Sequence, residues 1–413
     1  MHSTTTRLGR RAFGLALLGT LALSACGTDE AASFDTGDGG SDGGGASDGG
    51  SDENAGGADN AILANLPRLD AGFLVTDFTK DITVTATLQP TKNTVITPTG
   101  TLSIGTLQEV ATVAADAVGL EAELDEDGEV LDFAAADGEV LRAMDLTFTP
   151  FDEDAWMSGE SEPVTDLSIR ASGSQSHLAE LTGRYEDRIL VSVPEDGSGV
   201  LVVSCEGHDQ LLDLSTGERE EDEIAAAYYR SNRIQELHHT FPVSVKSIPV
   251  LYGGGADSEI TPEISLRATS LSLTAWTKQT GWADAGGAWL VLNWTSECGI
   301  ATEVPGVVDK KEYSAVATME AGGESSTDKV TRDSVNFAPS STKDESTLVM
   351  PVPVDLAAAT LSMSGTLTIS MDAARGSYAM DASGDLTFSS EPLTVEFTED
   401  SGASSPEPSD SGS

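Results

Sequence analysis

Short runs in which apolar and polar residues alternate recur along most of this chain. An alternation of period two sends successive side chains to opposite faces of a strand. Thr83–Leu88, Leu102–Ile104, Arg188–Val193, Val200–Ser204, Ile264–Arg267, Leu271–Thr274, Trp289–Trp294, Leu348–Val352 and Leu361–Ile369 all read as strands, and often alternate in this way. They are short, rich in Val, Ile, Leu and Thr, and set apart by turn residues, which is the rhythm of antiparallel sandwiches. A fold built from βαβ units would place helical patterns of ten or more residues between its strands. One stretch does predict a helix, Glu218 to His239, where Ile224, Ala227, Tyr228 and Ile234 recur at roughly helical spacing behind an acidic first turn. His238 and His239 then fall at its negative end. The expected fold class is all-β, two tandem antiparallel β-sandwich domains with one connecting helix.

Two flanking segments lack any such pattern. Gly27 to Asn60 is dominated by Gly, Ser, Ala and Asp and holds no Lys or Arg, so it cannot bury enough apolar surface to fold and is expected to be a flexible tether. The same holds for the acidic tail 399–413. The expected organisation is thus 1–25 as an export signal, 26–60 as tether, 61–217 as the first sandwich, 218–240 as a helical connector and 241–398 as the second sandwich. An internal repeat supports the division. Val193-Pro194-Glu195-Asp196 onward to Gly217 lines up without a gap with Val352-Pro353-Val354-Asp355 onward to Gly376. Gly138-Glu139-Val140-Leu141 stands against Gly287-Ala288-Trp289-Leu290, and Leu102-Ser103-Ile104 against Leu271-Ser272-Leu273. Their different offsets place an acid-rich insertion in the first copy, between Thr106 and Asp137.

The amino terminus adds an address. Arg7, Arg10 and Arg11 precede an apolar run from Phe13 that ends in Leu23-Ser24-Ala25-Cys26. A basic start, apolar centre and small residues are the layout of a secretory signal, and the run is too short to cross a bilayer, which takes about 20 apolar residues. Leu-Ser-Ala-Cys resembles the lipobox of bacterial lipoproteins. That resemblance implies a diacylglyceryl group on Cys26, cleavage before it, and a protein held on the membrane facing away from the cytoplasm. Arg10-Arg11-Ala12-Phe13 also resembles a twin-arginine export signal, so the export route stays open between the two systems.

Charge narrows the partners. The formal net charge is −46, and a basic patch is the footprint that nucleic-acid binding requires. Nucleic acid is therefore excluded as an expected partner. The same field repels anionic lipid headgroups, which leaves the lipid anchor to hold the protein at the membrane.

Candidate chemistry is sparse. With Cys26 lipidated, Cys205 and Cys298 remain in a compartment where disulfides persist, and they are expected to pair. Cys205-Glu206-Gly207-His208 lacks the second ligand pair of a zinc site. The Gly-x-Ser-x-Gly matches at Gly39–Gly43 and Gly45–Gly49 sit in the tether, without the strand and helix that a nucleophile elbow needs. Ser326 to Lys329 and Ser340 to Lys343 fit Ser-x-x-Lys with no Lys-Thr-Gly to follow. Glu123, Asp125, Asp127 and Gly128 form part of a calcium-loop pattern, but the twelfth position is Ala134 where a bidentate Glu belongs; an acidic hairpin turn is the expected reading. Trp289 and Trp294 have opposite parity on one strand, so one should enter the core while the other faces outward as a possible partner contact.

Ala136-Asp137-Gly138-Glu139-Val140-Leu141-Arg142-Ala143-Met144-Asp145-Leu146-Thr147-Phe148 resembles the central strand entry of immunoglobulin-like, telokin-like domains of exported bacterial lipoproteins. Gly287 to Thr295 is a more degenerate second match. The resemblance implies immunoglobulin-like sandwiches and carries over no site residues. The expected function is a lipid-anchored envelope protein that binds an envelope protein or polysaccharide, with no cofactor, no metal and no catalytic centre. The alternatives are an envelope hydrolase using His177 or His208, and a solute-binding lipoprotein serving a transporter.

Overall fold

The computed structural model describes residues 65–80, 82–151, 163–252, 255–302, 308–338, 340–371, 378–380 and 384–397. The expected signal peptide, Cys26, the tether to residue 60 and the tail from 399 lie outside the described residues. The described residues form sheets that are antiparallel apart from one short parallel pairing near residues 299–300 and 336–337, with short 3-10 turns and no α-helix among them.

The first half contains β1 (Leu74–Val75), β2 (Val84–Leu88), β3 (Thr94–Ile96), β4 (Gly100–Val110), β5 (Val113–Ala114), β6 (Glu123–Leu124), β7 (Val130–Phe133), β8 (Glu139–Pro150), β9 (Thr165–Ala171), β10 (Ser174–Leu181), β11 (Tyr185–Pro194), β12 (Val200–Cys205) and β13 (His208–Asp213). One sheet has the order β1-β11-β8-β4-β2 with β3 also on β4, and a second has the order β10-β9-β12-β13. Leu102, Ile104, Met144, Leu146 and Phe148 from the first share a core with Leu167, Ile169, Leu201, Val203 and Leu212 from the second. Parity sorts these side chains. Along β8, Met144, Leu146 and Phe148 enter that core, whereas Leu141 and Ala143 point the other way. There they join Leu190 of β11 in a smaller cluster with Leu69, Phe78, Val113 and Phe133. The acid-rich insertion, folded as the three-stranded sheet β5-β7-β6, thus covers the outer face of the first sheet. Glu139, at the start of β8, joins the segment before β1 to β11 and to the β9–β10 turn: its carboxylate accepts hydrogen bonds from the Gly72 amide at 3.0 Å, the Ser192 hydroxyl at 2.5 Å and the Ser172 hydroxyl.

The second half contains β14 (Ile234–Phe241), β15 (Ile248–Tyr252), β16 (Gly255–Thr274), β17 (Trp276–Thr277), β18 (Gly281–Trp282), β19 (Gly287–Thr302), β20 (Val308–Ala321), β21 (Glu324–Arg332), β22 (Asn336–Phe337), β23 (Thr342–Pro353), β24 (Ala358–Met371), β25 (Tyr378–Met380), β26 (Gly384–Ser389) and β27 (Leu393–Glu396). One sheet runs β22-β19-β16-β15-β25, with β14 on β16 and β23 on β19; the other runs β21-β20-β24-β26, with β27 on β24. On β19 every second residue from Ala288 to Cys298 is buried. Leu290, Leu292 and Trp294 pack there against Ala317, Met319, Leu361 and Met363. At Gly365 of β24 the absence of a side chain is obligatory. The Phe388 ring lies over it, stacked on Tyr313 at 6.1 Å, and the Tyr313 hydroxyl bonds that of Ser296 across the core at 2.5 Å. The two halves repeat one another's sheet order, β11-β8-β4 against β23-β19-β16 and β10-β9-β12-β13 against β21-β20-β24-β26.

The expected helix over 218–240 is not formed. Arg219 bridges to Leu212, Ala226–Tyr229 make a single 3-10 turn, and Ile234–Phe241 is strand β14. One cause is visible: from Ile234 to Phe241 burial alternates with period two, as β14 pairs with β16. Upstream, the Asp222 carboxylate accepts the amides of Ile224 and Ala225 and so caps the turn that leads into Ala226–Tyr229, which goes no further than one 3-10 turn. His238, expected at a helix end, instead occupies a left-handed conformation (φ 44°) in a bulge of β14.

Candidate functional site

The segment that replaces the helix is a strap fixed to both halves. Arg219 N donates to Lys92 O at 2.7 Å and Glu220 N to Leu211 O at 2.9 Å on the first half. Gly286 N donates to Glu223 O at 3.1 Å and Leu273 N to Arg233 O at 2.7 Å on the second. The Arg230 guanidinium donates to three carbonyls: Val354, Leu356 at 3.1 Å and Phe397 at 2.6 Å. Tyr229 wedges its hydroxyl between the Ile96 amide (3.0 Å), which donates to it, and Gln210 Oε1 (2.5 Å), which accepts from it, beneath the Arg219 guanidinium at 3.2 Å from its ring. Most of these polar groups are paired, as shielding from water requires, although Arg230 Nε is buried with no hydrogen-bond partner.

His208 sits in this junction. Its Nε2 lies 2.7 Å from Asp222 Oδ2, and its ring packs on Trp282 at 4.7 Å. Trp282, from the second half, donates its Nε1 to the Cys205 carbonyl at 3.0 Å. The arrangement holds a histidine and a carboxylate but no nucleophile. Among the described residues no serine hydroxyl bonds His208, and burial pushes the neighbouring Cys205 thiol up to about 11, far from the thiolate that would attack. His177, the other candidate base, is exposed on β10.

The cysteines are a correction. Cys205 and Cys298 are free, buried thiols in different halves, not partners in a disulfide. Burial raises Cys298 to about 12. Each sits on the buried side of its own strand, β12 or β19, where the alternation of that strand places it.

The tryptophans divide as parity requires. Trp294 is in the core at 1% exposure with Nε1 on Asp328 Oδ2 at 2.9 Å, which removes it as a partner contact. Trp289 lies on the opposite face, half-buried, and donates to the Gly281 carbonyl at 3.0 Å.

Among the described residues no group of three or more His, Cys, Asp or Glu side chains is gathered to hold a metal ion. In the calcium-like segment, Asp125 Oδ1 accepts the amides of Asp127 at 2.9 Å and Glu129 at 2.8 Å, and Gly128 takes φ 81°. This is a turn joining β6 to β7. Its flanking strands carry Leu124 and Val130, 62% and 61% exposed and directly paired across the hairpin. Sequence reasoning marked the acids of this insertion but passed over the two apolar residues, whose exposure depends on the tertiary position of the hairpin. No family model matches the chain, and no curated protein matches it either.

Proposed function

We propose that this protein is a lipid-anchored envelope protein made of two tandem immunoglobulin-like sandwiches, acting by binding and not by catalysis. Leu23-Ser24-Ala25-Cys26 supports the anchor. The repeated sheet order supports the tandem domains. The observation that carries the binding reading is the fate of the reactive side chains: both thiols are buried and held protonated, and His208 is committed to Asp222 and Trp282 within the junction. What the surface presents instead is an apolar pair on a projecting acidic hairpin. Cys26→Ala should move the protein from the detergent phase to the aqueous phase on phase partitioning, since two acyl chains give stable anchoring and the acidic surface repels lipid headgroups. Retention of the variant in the detergent phase would refute the anchor. Ester or peptidoglycan hydrolysis that disappears in His208→Ala would refute the binding reading.

A further inference from the structure

We propose that the tip of the β6–β7 hairpin is a docking element for a basic protein partner, with Leu124 and Val130 entering an apolar cleft and the surrounding carboxylates meeting Lys or Arg at its rim. This deepens the binding reading above and rests on it. Leu124 and Val130 are cross-strand partners, so their side chains stand together on one face. They are the two most exposed of the large apolar residues described, and Leu120, 39% exposed, precedes them on the same insertion. Packing does not account for them: the hairpin is anchored at its other end, where Val113 and Phe133 are buried.

The tip is pre-organised. Asp125 fixes the turn through two amides of its own loop, and Asp125 N closes it on Glu129 O at 2.9 Å. A rigid projection loses little conformational freedom on binding.

Charge selects the occupant. Glu121, Glu123, Glu126, Asp127 and Glu129 are all exposed around the pair, and no Lys or Arg occurs from Ala111 to Leu141. A second copy of this chain, with its net charge of −46, is repelled, as is an anionic lipid surface. A cationic polypeptide surface is attracted by the rim and offers the apolar pair a place out of water.

The test uses the full chain, immobilised, against a displayed library of random peptides, with the Leu124→Ser/Val130→Ser double variant as the counter-target. Both positions are exposed, so the variant should keep the wild-type unfolding midpoint, and that is measured first. The expected peptides combine Lys or Arg with an apolar or aromatic residue. They should bind the double variant at least about tenfold more weakly, from the transfer free energy of two side chains. Binding should also weaken by about tenfold or more when salt is raised from about 0.05 to about 0.5 M, as the rim charges are screened. Peptides that bind wild type and variant equally would overturn the hairpin as the site while leaving a binding protein. Acidic or neutral peptides, affinity indifferent to salt, or no enrichment above background would overturn it as well.

Discussion

Replacing Gly365 with alanine tests how tightly the second half is built. A Cβ at this position would stand 2.2 Å from the Ser314 carbonyl oxygen and 2.3 Å from Phe388 Cζ, where ordinary contact begins at 3.4 Å. More than 1 Å must therefore be found on both sides at once. The carbonyl is held by pairing between β20 and β24 and cannot give. The ring must move, which disturbs its stack on Tyr313. Overpacking of this kind costs about 1–3 kcal/mol, and tilting Phe388, now 5% exposed, forfeits part of its burial, about another 1 kcal/mol. The expected loss is about 3 kcal/mol, read as a lower urea midpoint at unchanged slope. Gly105→Ala is the internal control. It is the same substitution in a strand, but its Cβ meets nothing nearer than 3.6 Å, so it should fall within about 0.5 kcal/mol of wild type. Equal midpoints for the two variants would refute the account of Gly365.

Glu139→Gln should destabilise the protein at neutral pH by about 1–2 kcal/mol, kept low because the carboxylate is only half-buried. Partial burial works to raise this carboxyl, but three hydrogen bonds outweigh it and hold the group below its ordinary value of 4.5. Its contribution is thus complete above that value and fades as pH falls below it, so wild type and variant should converge in acid urea melts; a constant gap would exclude Glu139 as the source. Arg230→Met, which deprives three backbone carbonyls of their donor, should cost about 2–3 kcal/mol in the same melts, and a change under 1 kcal/mol would show that the clamp is idle. A thiol reagent applied to folded protein should leave Cys205 and Cys298 unmodified and label both only after denaturation, mapped by mass spectrometry. Rapid labelling of the native protein would contradict their burial.

Strand content was legible because one-residue alternation survives any tertiary context: the opposite fates of Trp289 and Trp294 follow from parity alone. The strap was not legible, since Tyr228 and Ile234 share a helical spacing but belong to a junction turn and to a strand edge. For the turn, only the partners of its tyrosines decide, Trp282 for Tyr228 and Gln210 and Ile96 for Tyr229, and all lie outside the strap. The cysteines failed for the same reason, because compartment argues that thiols oxidise but not that two strands bring them together. For the docking tip, the acids were visible in the sequence while the exposure of Leu124 and Val130 was not, since alternating apolar residues ordinarily signal a buried face.

β8 and β11 are shielded on both sides, Met144 and Ile189 by one core, Ala143 and Leu190 by the other. This grades the molecule in time. Amide exchange should be slowest in these two strands, faster in the thinner layer of β5 and β7, and fastest at the Asp125–Glu129 turn, because each outer layer opens without requiring the one beneath it to open. The insertion can then fluctuate, or diverge in sequence at its tip, while the strands it rests on stay closed. Engagement of a partner would register as slowed exchange confined to the outermost layer.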